Sequence, residues 1–174
     1  MSEWVSIKID DARVLSALDK LAQAGIDLTP AMRAIAAALA HETEQNFAAG
    51  GRPKWAPLKN PPERRQGGAI LQDSGQLAAS ITTDYDSSRA VIGSNKEYAA
   101  IHQFGGKTRA HTIRPVKAKA LAFGGTVVKS VNHPGSNIPA RPFLPVTADG
   151  SLQPEASEEV LDTILRHLKR AAGI

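Results

Sequence analysis

The chain has 174 residues, no cysteine, 22% charged residues and a formal net charge of +4. That length accommodates a single domain, 1–174, with arms, and the composition is that of a globular chain rather than a disordered one. The missing cysteine excludes a disulfide scaffold, a thiolate metal site and a thiol nucleophile. No apolar run approaches the roughly 18 residues that a membrane span needs. Met1-Ser2-Glu3-Trp4 lacks the basic and apolar regions of a signal peptide, so a soluble product made in the cytoplasm is expected.

Val5, Ile7 and Ile9 alternate with Ser6 and Lys8, which predicts a half-buried strand over Trp4–Ile9. Asp10 or Asp11 then caps a helix with Val14, Leu18 and Leu21 on one face, ended by Gly25. Thr29-Pro30 predicts an N-cap followed by proline at the first helical position, where a missing N–H costs nothing. This second helix runs to about Ala48, with Met32, Ile35, Leu39 and Phe47 as its buried stripe and Gly50-Gly51 as its stop. Residues 50–70 are dense in proline and glycine and rich in Lys and Arg, with Trp55, Leu58 and Ile70 as anchors; they read as an extended arm. Asp73 with Gln76 opens a short helix to Ser80. Ile81–Tyr85 and Arg89–Gly93 form a hairpin around Asp86-Ser87-Ser88. Asn95–Phe104 is a short helix. Ala118–Phe123 and Thr126–Val131 flank Gly124-Gly125, a two-residue turn that predicts a hairpin pairing Leu121 with Val128 and Phe123 with Thr126. Residues 132–145 are a second Pro/Gly-rich stretch, read as an extended loop. The last helix spans about 154–171, with Val160, Leu161, Ile164, Leu165 and Leu168 as its apolar face. Its acids lie early and its bases late, as the helix dipole favours.

These elements predict an α+β fold: a mostly antiparallel sheet packed by two or three helices, with long Pro/Gly-rich arms. Charge is concentrated. Residues 98–148 hold seven Lys or Arg (Lys107, Arg109, Arg114, Lys117, Lys119, Lys129, Arg141) and no acid, while the rest of the chain is slightly acidic. Such a block suits either nucleic acid or an acidic face of a neighbouring subunit. The scarcity of aromatic residues, 5% of the chain, favours the subunit contact over a base-stacking platform.

Catalytic patterns are fragmentary. Gly105-Gly106-Lys107-Thr108 ends like a phosphate-binding loop, but Ile101 stands where that loop needs its first glycine and a helix precedes it instead of a strand. His41-Glu42-Thr43-Glu44-Gln45 imitates a zinc-protease helix with Gln45 in place of the second histidine. The five histidines show no ligand spacing, and His102 reads as a structural residue. No catalytic, cofactor or metal residue is assigned, and no enzyme activity is expected.

Four segments together carry a resemblance. They are Trp55-Ala56-Pro57-Leu58; Leu71–Ile81, which reads LQDSGQLAASI; Val91–Asn95 with Tyr98–Gly106, which read VIGSN and YAAIHQFGG; and Arg141-Pro142-Phe143-Leu144. In this order and spacing the chain resembles the phage virion morphogenesis family, also called tail completion proteins, of Mu-like phages and prophages. Segment 107–139, with its Gly-Gly hairpin, departs from the family pattern.

The resemblance implies a non-enzymatic virion protein of the head-to-tail joint. It implies a homo-oligomeric ring, commonly a hexamer, at the top of the tail, assembled in the host cytoplasm. The expected partners are copies of itself, other neck and tail-tube proteins, and genomic DNA passing through the lumen with at most weak contact; no membrane and no cofactor are implied. A neck head-completion or stopper protein is the alternative, and a basic DNA-binding protein the alternative of another class. A ring needs two complementary faces on each subunit. The candidate contact residues are Trp55, Leu58, Arg64, Arg65, Phe104, Lys107, Arg109, Arg114, Arg141 and Phe143. Trp55, Phe104 and Phe143 are candidate aromatic anchors, with a place in the core as the other reading. Arg141 is a candidate to hold a carboxylate or backbone carbonyls across a subunit boundary.

Overall fold

The computed structural model describes residues 12–23, 25, 27–59, 68–123 and 125–172; the expected strand at Trp4–Ile9 lies outside them. Helix α1 spans Ala12–Gln23 and α2 spans Thr29–Ala49. After a 3₁₀ turn at Ala78–Ser80, strands β1 (Ile81–Tyr85) and β2 (Ala90–Ser94) form an antiparallel hairpin. The short helix α3 (Ala99–Phe104) follows, and α4 (Pro154–Ala172) closes the chain order. The architecture is α+β, with short antiparallel strand pairs beside the helices.

Helix α2 is the central element. Its predicted stripe, Met32, Ile35, Leu39 and Phe47, is buried, and so are Ala31, Ala36 and Ala38, whose small side chains let neighbours approach closely. Gly50 ends the helix in the left-handed conformation, its N–H bonding back to the carbonyls of Asn46 and Phe47. The start differs from expectation. Thr29 is already helical, and Asp27 Oδ1 accepts the Thr29 N–H at 2.9 Å, because a carboxylate two residues earlier reaches the free amide.

Two apolar clusters form the core. The first joins Val14 of α1, Met32, Ile35 and Leu39 of α2, and Leu152, Ala156, Val160 and Ile164 at and within α4. Ala90 and Ile92 of β2 pack against it. Leu165, expected on the apolar face of α4, is 47% exposed, since it falls beyond the edge of the buried stripe. The second cluster sits at the C-terminal end of α2 and joins Phe47, Trp55, Leu77, Ala99, Phe143 and Leu144. Phe47 stacks on Phe143 with ring centroids 5.6 Å apart and meets Trp55 edge-on at 5.8 Å. Each such aromatic pair adds about 0.5–1.5 kcal/mol beyond burial. Ile92 packs against both clusters and links them.

The remaining strands are paired in a nested order that local periodicity does not foretell. β3 (Gly106–Lys107) pairs with β8 (Asn137–Ile138), β4 (His111–Ile113) with β7 (Val131–His133), and β5 (Leu121–Phe123) with β6 (Thr126–Val128), all antiparallel. Leu121 faces Val128 and Phe123 faces Thr126, the register that the Gly-Gly turn predicts. The chain from 106 to 138 therefore runs out and back as one ribbon. Within the stretch 132–145, read as an extended loop, β7 and β8 take Asn132–His133 and Asn137–Ile138, and 141–146 is a buried strap crossing the second cluster.

Candidate assembly surface

Several residues singled out from the sequence hold the body together. Trp55 is buried, and its indole N–H donates to the Pro142 carbonyl at 2.9 Å. Phe143 is fully buried. Both are therefore core residues, the other reading of their rings, rather than exposed contact anchors: Phe47 lies between them, stacked on Phe143 and edge-on to Trp55. Arg141 is also buried; its Nε donates to the Ala56 carbonyl at 2.9 Å and its Nη2 to that of Pro57 at 3.2 Å. It holds backbone carbonyls, as the sequence suggested, but those of its own subunit. Residues 50–59 are thus fastened to the body and are not a free arm. Leu58 is half-buried, and Arg64 and Arg65 lie outside the described residues.

A closed polar network reinforces this attachment. Arg52 donates from Nε to Asn46 Oδ1 at 2.9 Å, and from Nη2 to Glu42 Oε2 at 2.7 Å and to the Glu42 carbonyl at 2.9 Å. Asn46 Nδ2 donates to the Phe143 carbonyl and to Gln153 Oε1, and Gln153 Nε2 returns to the Arg52 carbonyl at 2.9 Å. Every amide atom of Asn46 is used, so its burial carries no desolvation deficit.

Sequence reasoning missed Gln103. It is buried on α3, and its Oε1 accepts the N–H groups of Phe143 and Leu144, both at 3.0 Å. The strap has no strand partner at that point, so the side chain substitutes for one. A glutamine inside an otherwise apolar helical turn was the available signal.

His102, Leu58, Leu71, Ser74, Tyr98 and Arg141 line a cleft of about 290 Å³. His102 Nδ1 is buried there without a hydrogen-bond partner among the described residues. Burial, reinforced by the nearby Arg141 charge, holds the imidazole below its usual pKa and thus neutral at pH 7. Asp73 and Ser74 line the same cleft, and His102 Nδ1 hydrogen-bonds to neither. Among the described residues, no group of three or more His, Asp or Glu is placed to hold a metal ion, and no helix is long and apolar enough to cross a membrane.

The exposed candidates gather at the opposite extreme of burial. Phe104 is 56% exposed at the end of α3, and Tyr98 at its start is also exposed. Gly105 then turns the chain into the ribbon at φ 72° and ψ 179°, a conformation open to glycine alone; a Cβ there would stand 2.8 Å from the Ala140 nitrogen. Lys107, Arg109 and Arg114 follow on the outgoing strand side, with Lys117, Lys119 and Lys129 beyond them. All six are exposed, and none has an ion-pair partner among the described residues. Ile113, Val116 and Val127 expose apolar surface on the same ribbon, Val116 almost completely. The arrangement is an exposed surface, basic and partly apolar.

Comparison with known proteins follows the same line. A model of the phage virion morphogenesis family matches residues 9–169. The chain is 37% identical over 161 residues to "Mu-like prophage FluMu G protein 2" of Haemophilus influenzae, covering 92% of this chain and 93% of that protein. It is 32% identical over 181 residues to "Putative capsid assembly protein G" of Escherichia phage Mu, with 98% of each covered. No solved structure matches it.

Proposed function

Because the chain belongs to the phage virion morphogenesis family, we propose that it is a structural subunit of the head-to-tail joint, forming a ring at the top of the tail that completes the tail and joins it to the head. The observation that carries this reading is the family match across nearly the whole chain, residues 9–169. The geometry supports it: a body closed by its own aromatic cluster and polar network, and a separate exposed surface suited to contact. Closed rings require such a surface, since each subunit must offer one face to its neighbour and receive a different one.

The test is a phage or prophage lacking this gene. Induced lysates should contain filled heads and finished-length tails that are not joined, and adding the purified protein should restore joining. Normally joined particles without the protein refute the reading. Heads that fail to assemble would instead move the role to capsid assembly, the word carried by the name of the phage Mu relative.

A further inference from the structure

Among the described residues, the ribbon 106–138 contributes none to either apolar cluster. Its outer part is a two-stranded antiparallel ribbon, and such a ribbon standing alone in water is marginal at best. Cross-strand contacts hold it in register: Thr112 Oγ1 donates to Asn132 Oδ1 at 2.8 Å, the His111 and His133 rings lie 5.3 Å apart, and the Ser136 N–H donates to Thr108 Oγ1 at 2.7 Å. Residues 106–113 alone extend about 25 Å at the usual rise per strand residue, before the tip hairpin begins. That length lets the arm leave its own subunit. It carries six uncompensated positive charges, while the remaining residues of the chain hold 15 Lys or Arg against 17 Asp or Glu.

The matching surface lies on the same chain. The first half of α4 presents Glu155, Glu158, Glu159 and Asp162, with Asp149 in the turn before it. Glu159 and Asp162 pair with Arg166, both at 3.2 Å. Glu155 and Glu158 are exposed and have no ion-pair partner among the described residues. Exposed Leu165 on α4 and Leu15 on α1 add apolar surface to these helices. We propose that the ribbon is an arm that packs against the acidic first half of α4 on a neighbouring copy of this chain. The basic charges meet Glu155 and Glu158, and Val116 and Val127 are covered in the contact. The apolar exposure of the ribbon favours a protein surface over a phosphate backbone. This inference rests on the ring reading and gives it a contact. The contact is heterologous, arm of one copy on helix of the next, as a closed ring requires.

The experiment uses the full chain with two charge-reversed variants, Lys117→Glu with Lys119→Glu, and Glu155→Lys with Glu158→Lys. All four positions are outside the core, so circular dichroism should match the parent. Sedimentation at low salt should show the parent as an oligomer and each variant at least tenfold weaker in self-association. Mixing the two variants should restore assembly, because each arm then finds an opposite charge on the other variant's α4. A third variant, with 109–135 replaced by a short glycine turn, should remain folded and lose self-association. The inference is overturned if the parent is monomeric, if either reversal assembles like the parent, or if the mixture stays dissociated. It is also overturned if Lys117→Glu with Lys119→Glu abolishes binding of duplex DNA while leaving self-association intact, which would make the ribbon a nucleic-acid surface. Rings seen on parent tails and unchanged by the reversals refute the arm and leave the ring reading standing; tails that carry the protein without a ring refute the ring reading itself.

Discussion

Replacing Gln103 by Met tests how the strap 141–146 is held. Methionine matches glutamine in length and keeps the apolar stem, but it removes Oε1, the acceptor 3.0 Å from both the Phe143 and Leu144 N–H groups. Each of the two is a backbone donor in a buried stretch, and a buried donor left without a partner costs about 1–3 kcal/mol. Some of that loss is recovered if the strap shifts to admit water, so the expected destabilisation is about 3 kcal/mol, set against a total stability of about 5–15 kcal/mol for a domain. For a chain of this size that corresponds to a fall in Tm of about 6–12 °C. Urea unfolding and thermal melts of the full chain measure it, and amide exchange at Phe143 and Leu144 should accelerate more than at residues of the hairpin β1–β2. Phe104→Ala, one residue away and exposed, is the matched control and should move stability by less than about 0.5 kcal/mol. A Gln103→Met change as small as the control refutes the idea that the side chain replaces a missing strand.

Further expectations can be measured in the same way. Phe143→Ala removes the ring stacked on Phe47 and leaves a cavity in the second cluster, and should cost about 3–5 kcal/mol by urea unfolding. Gly105→Ala forces a side chain into a conformation open only to glycine and toward the Ala140 nitrogen, so it should destabilise the chain by at least about 1–3 kcal/mol in thermal melts. His102 has its pKa lowered by burial and by Arg141, so below its ordinary value of 6.5 the unfolded chain binds a proton that the folded chain refuses. Stability should therefore decline as pH falls from about 6.5 toward the depressed folded value, and His102→Asn should remove that part of the slope in a pH series of urea titrations.

The sequence by itself determined the elements whose signals are local. The apolar spacing of Met32, Ile35, Leu39 and Phe47 located α2 and its buried face, and Gly50 located its end. The Gly-Gly turn set the register of Leu121 on Val128, because a two-residue turn leaves only one way for its flanks to pair. The four family segments identified the class of protein without any structure. The tertiary structure decided which of the large side chains in those segments face inward. Trp55 and Phe143 stand 88 positions apart in the chain and share one cluster, a closeness created by the strap and not by any period in either segment. Gln103 acquires its role only when that strap passes beside it. The ribbon is the clearest case. Apart from the tip hairpin its strands are too short to announce themselves, and the pairing of His111 with His133 or Gly106 with Ile138 depends on the whole segment turning back on itself. Local periodicity reports which face of an element is apolar; what covers that face, and what remains uncovered for a partner, is settled by contacts between residues distant in sequence.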